Sequence, residues 1–274
     1  MTVPTITLND GITIPQLGFG VWQVQDDAAT PAVLKALEVG YRHIDTAAIY
    51  GNEQGVGRAI AESGVNPEEL FVTTKLWTDD LADARRGLET SLQKLGLDRV
   101  DLYLIHWPSV VKNGDAFIGA WNTMQELKAE GLTRSIGVSN FNPEHLDRLE
   151  GETPSINQVE LHPSLPQHEL RADLERRGIR AEAYSPLGNQ KAPSDLDLPQ
   201  VQLVAEQTGM TPAQVILRWH LQLGNVAIPK SVTPERIEQN LQVTGPELTA
   251  EQMELLNGLD TGNRMNSDPV TADF

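Results

Sequence analysis

Short apolar runs alternate with helix-like stretches along this chain, and most of the runs end at a polar or reactive side chain. Residues 42–44 and 70–74 are examples of such runs, and residues 101–105 form a third. The residues that directly follow the runs are Asp45, Lys75, His106, Ser139, Asn140, Gln158, Tyr184 and Lys230. A repeating β–α pattern builds a parallel sheet whose strands end on one common face. The pattern therefore predicts that these side chains converge on one site.

The number of repeats predicts a barrel of the TIM type, (β/α)8, in the α/β class. Asn9-Asp10-Gly11 between two alternating runs indicates an N-terminal β-hairpin, which we expect to plug the barrel. About eight strand–helix units follow, and extra helices are expected near the C-terminus. Helices are predicted over 30–39, 53–62, 83–95, 121–130, 142–150, 167–177, 198–208, 211–223, 233–241 and 249–257.

The main alternative is a doubly wound sheet with a Rossmann nucleotide-binding turn. Gly18-Phe19-Gly20 and Gly55-Val56-Gly57 both lack the third glycine of that fingerprint, and there is no Walker-type Gly-Lys-Ser/Thr sequence. No linker rich in Gly or Ser divides the 274 residues. The barrel is therefore favoured, as a single domain over residues 1–274.

Composition and charge restrict the partners and the compartment. The chain contains no cysteine, which excludes disulfides, thiol catalysis and thiolate metal sites and fits a cytoplasmic protein. No apolar run approaches the roughly 18 residues of a membrane span, and the N-terminus does not resemble a secretory signal. The net charge of −17 disfavours nucleic acid and anionic membranes as partners. An anionic ligand would need local cations, and this draws attention to Lys230 and Arg236.

Four residues suit the protonation of a carbonyl oxygen. A tyrosine hydroxyl is a poor acid at neutral pH, but a nearby ammonium favours its phenolate form. Lys75 would act in this way on Tyr50, Asp45 would hold Lys75 charged, and His106 would donate a hydrogen bond to the carbonyl. Taken singly, each residue has an ordinary explanation: a turn cap, a solvated strand end, a half-buried histidine and a packing tyrosine. Their joint placement weakens those explanations, and no metal is needed for this chemistry.

Five stretches closely resemble signatures of the aldo-keto reductase family, in the family's order and over nearly the whole chain. They are GYRHIDTAAIYGNE at 40–53, LDRVDLYLIHWP at 97–108, GVSNF at 137–141, YSPLG at 184–188 and IPKSVTPER at 228–236. The short segment 108–115 resembles the prokaryotic subgroup that includes 2,5-diketo-D-gluconate reductases. The resemblance implies a (β/α)8 barrel enzyme that reduces carbonyls with NADPH.

The resemblance also implies a role for each matching residue. Tyr50 would be the general acid, tuned by Lys75 and Asp45, with His106 orienting the carbonyl. The cofactor-binding residues would be Ser139, Asn140, Gln158, Tyr184, Ser185, Leu187, Lys230, Ser231, Arg236, Gln239 and Asn240. Within this set, Lys230, Ser231 and Arg236 would hold the 2′-phosphate that distinguishes NADPH from NADH. A helix N-terminus after Ser231 favours the same anion. Gln239 stands where many relatives have Glu.

The substrate is the least determined part of the hypothesis. Trp22, Trp77 and Trp107 are expected to line the pocket, and the tail 264–274 is expected to close it. Aldehydes, ketones, α-dicarbonyls or keto-sugar acids are the candidate substrates of an enzyme that we expect to be a monomer. The alternative is a regulatory NADPH-binding protein without turnover.

Overall fold

A computed structural model describes residues 3–188, 194–243 and 245–274. The strands in these ranges are β1 Thr5–Thr7, β2 Thr13–Pro15, β3 Phe19–Gly20, β4 His43–Asp45, β5 Phe71–Leu76, β6 Val100–Ile105, β7 Thr133–Ser139, β8 Ile156–Glu160, β9 Arg180–Tyr184 and β10 Val226–Ala227. The α-helices are α1 Asp26–Val39, α2 Glu53–Glu62, α3 Ala84–Leu95, α4 Val110–Asn113, α5 Ala116–Ala129, α6 Pro143–Leu146, α7 His168–Arg177, α8 Pro199–Thr208, α9 Pro212–Gln222, α10 Pro234–Leu241 and α11 Ala250–Asn257. None of these helices is both long and apolar enough to cross a membrane.

Strands β3 to β10 form one parallel sheet in sequence order, and this sheet closes into a barrel. The closure is a parallel bridge between Leu17 and Ala227. The Gly18 amide donates to the Ala227 carbonyl at 2.9 Å, and the Ala227 amide donates to the Gln16 carbonyl at 2.8 Å. Helices connect the successive strands, and α10 and α11 follow the last one. The predicted (β/α)8 barrel is confirmed.

The N-terminal hairpin is present, and its apolar side packs into the barrel. Strands β1 and β2 pair antiparallel with Ile6 opposite Ile14. Gly11 in the turn has a φ of +85°, a conformation that glycine adopts without strain. The buried residues that cluster around the hairpin are Leu8, Ile14, Phe71, Leu102, Leu104, Ile156 and Val226. This contact with several barrel strands matches the predicted plug.

Three boundaries of the predicted helices differ from the structure by four or more residues, and the others differ by at most one. Helix α1 begins at Asp26 rather than at residue 30, so Pro31 lies inside it; acidic residues at the N-terminus stabilise the earlier start. Helix α5 begins at Ala116 rather than at 121 because the buried positions Phe117 and Ala120 extend its apolar face. Helix α6 ends at Leu146, several residues before the predicted end at 150.

Candidate active site

The four predicted catalytic residues lie together at the C-terminal end of the barrel. Asp45 is the last residue of β4, and Tyr50 ends a short 3-10 helix, Ala48–Tyr50, that follows it. His106 comes directly after β6, as predicted. Lys75 lies within β5 instead of following it, because that strand extends to Leu76. Neighbouring parallel strands thus bring Asp45, Lys75 and His106 to one face of the barrel, and the 3-10 helix brings Tyr50 to the same face.

Ser139, Gln158 and Tyr184 also lie inside strands rather than after them. Ser139 ends β7, Tyr184 ends β9, and Gln158 is in the middle of β8. The strands are longer than the apolar runs predicted, because a buried barrel strand continues through the polar residues at its end. The predicted convergence on one face is unaffected.

Lys75 is the centre of the polar contacts in the site. Its Nζ donates to Asp45 Oδ1 at 2.6 Å, to the Thr46 carbonyl at 2.8 Å and to the Tyr50 hydroxyl at 3.4 Å. Lys75 is fully buried and Asp45 is 1% exposed. An ammonium has three N–H donors, so these contacts use all of them. The ion pair therefore fixes the ammonium beside the Tyr50 hydroxyl.

The protonation states follow from burial and from this ion pair. Burial is the largest single influence on Lys75 and lowers its pKa, but the charge and hydrogen bond of Asp45, together with Tyr50 and Glu182, outweigh burial and raise the net pKa. Burial raises the pKa of Tyr50 to about 12, although the Lys75 ammonium opposes this shift. Burial, together with the charge of Lys75, lowers the pKa of His106 well below its usual value. At neutral pH the site therefore holds an ammonium, a protonated phenol and a neutral imidazole.

The net shift at Tyr50 corrects one expectation. The sequence predicts that Lys75 lowers the Tyr50 pKa, and the ammonium does act in that direction. Desolvation of the phenolate is the larger effect, since a charge in a poorly hydrated site is costly. The hydroxyl consequently stays protonated and can act as a proton donor.

Sequence reasoning missed one buried carboxyl group near the site, that of Glu182, which contacts Gln158. Gln158 Nε2 donates to Asp45 Oδ2 at 2.8 Å and to Glu182 Oε2 at 3.0 Å. Burial, followed by the charge of Asp45, raises the pKa of Glu182 to about 8. The available signal was a single acidic residue within the apolar run 179–183. Together the two carboxyl groups orient the Gln158 amide.

Glu182 should make the stability of the protein depend on pH. Its folded-state pKa lies above the ordinary value of 4.5, so the unfolded chain releases this proton first as pH rises. The free energy of unfolding should fall between about pH 5 and pH 8, by up to roughly 1.4 kcal/mol per pH unit. Glu182→Gln should remove this slope, as measured by urea unfolding across the window. Parallel pH profiles for both proteins would contradict the assignment.

Hydrogen bonds link several predicted cofactor residues beside the catalytic group. The Tyr184 hydroxyl donates to Asn140 Oδ1 at 2.8 Å, and Asn140 Nδ2 donates to the His106 carbonyl at 3.0 Å. Ser139 Oγ donates to the Gln158 carbonyl at 2.8 Å. These bonds fix the Tyr184 ring at one wall of a large cavity.

That cavity has a volume of about 840 Å³, and its lining residues include Asp45, Tyr50 and His106 as well as Lys230. The predicted cofactor residues that line it are Asn140, Gln158, Tyr184, Ser185, Leu187 and Lys230. The other predicted cofactor residues are not among its lining residues, and they are Ser139, Ser231, Arg236, Gln239 and Asn240.

Two exposed cations, Lys230 and Arg236, lie on either side of Ser231 along the chain. Lys230 is one of the residues that line the cavity, and Arg236 is exposed in the first turn of α10. Ser231 lies between them and accepts a hydrogen bond from the Thr233 amide at 3.1 Å. Among the residues that the structure describes, neither cation forms an ion pair. In a chain with so high a negative charge, two such cations are suited to bind an anionic ligand.

Aromatic rings surround the catalytic end of the cavity. The Trp22 ring lies 4.8 Å from the Tyr50 ring, and the Trp77 ring lies 5.3 Å from that of His106, between centroids. Phe274 stacks on Trp77 at 5.5 Å and meets Trp107 edge-on at 5.0 Å. All three predicted tryptophans thus line the cavity, and the tail supplies a fourth ring.

The comparison with known proteins identifies the family. Residues 16–261 match the model of the Aldo/keto reductase family. The chain belongs to that family. The match confirms the resemblance seen in the sequence and the prediction of an oxidoreductase.

Individual relatives are similar to this chain along nearly its whole length, in sequence and in structure. It is 54% identical over 274 residues to an aldo-keto reductase of Mycolicibacterium vanbaalenii, covering 98% of this chain and 96% of the relative. It is 49% identical over 273 residues to methylglyoxal reductase DkgA of Escherichia coli, covering 98% of both. A crystal structure of a Gox0644 mutant in complex with NADPH superposes with a TM-score of 0.94, at 41% identity and 100% coverage of both chains.

Proposed function

We propose that this reductase uses NADPH to reduce small aldehydes, ketones and α-dicarbonyls to alcohols. The observation that carries the proposal is the buried Lys75, which bonds Asp45 and the Tyr50 hydroxyl at the floor of the cavity. Reduction of methylglyoxal by a relative and binding of NADPH by another support it. A neutral phenol held against an ammonium is the arrangement that proton donation to a carbonyl requires.

The residues that line the cavity suit the nicotinamide and pyrophosphate part of NADPH. Tyr184 would cover one face of the nicotinamide, and Ser139, Asn140 and Gln158 would bind its carboxamide. Because Gln158 Nε2 is already bonded to two carboxyl groups, its Oε1 is left to accept from that amide. The residues assigned to the rest of the cofactor are Ser185 and Leu187 at the pyrophosphate, Lys230, Ser231 and Arg236 at the 2′-phosphate, and Gln239 and Asn240 at the adenine.

NADPH supplies a hydride to the carbonyl carbon when it is bound. Tyr50 donates its hydroxyl proton to the carbonyl oxygen, which completes the alcohol. The Lys75 ammonium stabilises the tyrosinate that remains, and Asp45 keeps Lys75 charged and oriented. The neutral His106 donates an N–H hydrogen bond to the carbonyl oxygen and so orients the substrate.

The walls of the pocket favour small neutral substrates. Its catalytic end is aromatic, and the one exposed cation among its described lining residues, Lys230, lies at the opposite end. NADPH oxidation with methylglyoxal, simple aldehydes, a keto-sugar acid and a steroid ketone tests the proposal. We expect the highest kcat/KM for methylglyoxal or a simple aldehyde. Failure to oxidise NADPH with any carbonyl would indicate a binding protein without turnover.

Removing Arg236 should weaken NADPH selectively. Arg236→Ala should cost roughly 1.5–3 kcal/mol of NADPH binding, the scale of a charge-assisted hydrogen bond. NADH lacks the 2′-phosphate, so its Kd should stay nearly constant. Arg86→Ala is a matched control, since Arg86 is also exposed at the third position of a helix. Equal losses for the two cofactors would place Arg236 outside the phosphate site.

Trp107 should act on the substrate and not on the cofactor. It is 8% exposed and contacts Phe274 at the aromatic end of the cavity. Trp107→Ala should raise KM for good substrates by roughly 2- to 12-fold, as expected for losing an aromatic contact of ~0.5–1.5 kcal/mol. Titration with NADPH should give an unchanged Kd. If Trp107→Ala changed only cofactor binding, Trp107 would not belong to the substrate pocket. If steroids were the best substrates, the pocket would not be one for small carbonyls.

We also propose that the reductase is a monomer in the cytoplasm. The cysteine-free composition supports the compartment, because it suits a reducing environment. Sedimentation equilibrium of the purified reductase tests the monomer, and a dimeric mass would overturn it.

A further inference from the structure

Three ionisable residues outside the catalytic group form a second buried cluster. Glu160 ends β8, His162 follows two residues later, and Asp195 begins a short 3-10 helix, Asp195–Asp197. His162 Nε2 lies 3.1 Å from Glu160 Oε1, and His162 Nδ1 lies 2.9 Å from Asp195 Oδ2. Glu160 and His162 are fully buried and Asp195 is 2% exposed. We call Glu160, His162 and Asp195 the acidic clamp.

The contacts of the acidic clamp favour an imidazolium. Ser164 Oγ donates to Asp195 Oδ1 at 2.7 Å, so it does not donate its proton to His162 Nδ1. Both ring nitrogens of His162 therefore face acceptors, and a neutral ring could donate to only one of them. Burial lowers the pKa of His162, but Asp195 and Glu160 outweigh it and the net pKa is raised.

Other titratable groups lie near His162. His220 on the adjacent helix α9 is close enough to be influenced by His162, by Asp195 and by Arg171 of α7. Burial lowers the pKa of His220 to about 3, so it is neutral at physiological pH. Two carboxylates and one imidazolium then leave a single negative charge, which N–H donors of the tail stabilise.

Glu160 holds the tail where it becomes a wall of the active-site cavity. Its Oε1 accepts from the Met265 amide at 2.7 Å, and its Oε2 accepts from the Asn266 amide and from Asn266 Nδ2, both at 2.9 Å. Met265, Asn266 and Ser267 line the cavity. These bonds anchor a segment that has no helix or strand of its own, and the tail is also held by amides of Thr261 and Asn263 that donate to the Ser164 carbonyl and by Ser109 Oγ, which donates to the Phe274 carbonyl.

Asp195 holds a second wall on the opposite side of the clamp. Its carboxyl packs against Gly188, where an added Cβ would lie 2.7 Å from Asp195 Cγ. Gly188 and Leu196 both line the cavity. The acidic clamp thus connects the tail with the segment that follows β9, and both segments border the space assigned to cofactor and substrate.

We propose that Glu160, His162 and Asp195 are positioning residues that lock the Met265–Asn266 wall in place and thereby set substrate affinity. The inference rests on the proposed carbonyl reduction. None of the three touches the catalytic group, so the chemical step should not depend on them. Loss of the clamp should loosen the wall, raise KM and leave kcat nearly constant.

The test compares Glu160→Gln with Asp101→Asn. Asp101 is a suitable control because its Oδ2 also accepts a backbone amide, that of Val72 at 2.8 Å, near the start of β6. Glu160→Gln should speed hydrogen exchange at the Met265 and Asn266 amides at least about tenfold, the effect of losing charge-assisted bonds. KM for methylglyoxal should rise in parallel, with kcat changed less than about twofold. The control should alter neither quantity.

Two measurements that need no turnover keep the inference separate from the proposed function. Hydrogen exchange at residues 265 and 266 needs no turnover. It therefore tests whether the acidic clamp holds the tail even if no carbonyl is reduced. Nitrogen NMR of His162 in the unmodified protein should show both ring nitrogens protonated at neutral pH, and this holds even if Glu160→Gln does not fold. A neutral ring, unchanged exchange in Glu160→Gln, or a loss of kcat at constant KM would overturn the proposal.

Discussion

Replacing Tyr50 by phenylalanine should slow carbonyl reduction by about 10²–10⁴-fold, the usual contribution of a general acid. The variant lacks the hydroxyl that Lys75 contacts at 3.4 Å, but the aromatic ring and its contacts with Trp22 and His106 can remain. NADPH affinity should stay the same because Tyr184 and Lys230 are unaffected. Single-turnover kinetics and a cofactor titration measure the two effects separately.

Tyr103→Phe is the matched control for that experiment. Its hydroxyl is also buried, and it donates to the Ala84 carbonyl at 3.4 Å, away from the cavity. We expect this control to reduce carbonyls at nearly the normal rate. Near-normal turnover in Tyr50→Phe would instead show that another group supplies the proton.

The second large effect is expected at Lys75. Lys75→Met removes one partner of a fully buried ion pair and leaves Asp45 without its counter-charge. Breaking such a pair costs about 3–5 kcal/mol, because an uncompensated buried charge remains. Activity should also fall sharply, since no ammonium would stabilise the tyrosinate. Urea unfolding and steady-state kinetics provide the two measurements.

A double variant separates stability from catalysis. Asp45→Asn combined with Lys75→Met removes both charges, so most of the lost stability should return. The activity should not return, because the ammonium is still missing. A double variant as unstable as Lys75→Met would show that the pair contributes mainly through packing, and recovered activity would contradict the assigned role of Lys75.

The positions of the catalytic residues could be predicted from sequence because they depend on regular geometry. Parallel strands bring their C-terminal ends to one face, so Asp45, Lys75 and His106 had to meet once the barrel was recognised. Tyr50 was proposed from its chemistry beside Lys75, and the family signatures supported it, because it lies in a turn that the strand pattern alone does not orient. The hairpin plug was predictable for a similar reason, since its turn sequence is local.

Features that depend on burial and on distant contacts could not be predicted in the same way. The net pKa of Tyr50 reflects the desolvation of its site, which the sequence does not reveal. Glu160 binds Met265 and Asn266, more than a hundred residues away along the chain. The sequence did indicate that the tail closes the pocket, but not that Phe274 stacks on Trp77 or which buried carboxylate anchors the tail.

The central claim is that this reductase turns over NADPH at a carbonyl through Tyr50. The most direct measurement mixes the NADPH-loaded protein with excess methylglyoxal and follows both the loss of NADPH absorbance and the alcohol formed. The account predicts rapid oxidation with one alcohol per NADPH in the unmodified protein, and oxidation slower by about 10²–10⁴-fold in Tyr50→Phe. Retention of bound, unoxidised NADPH by the unmodified protein with methylglyoxal and with the other carbonyls would contradict it.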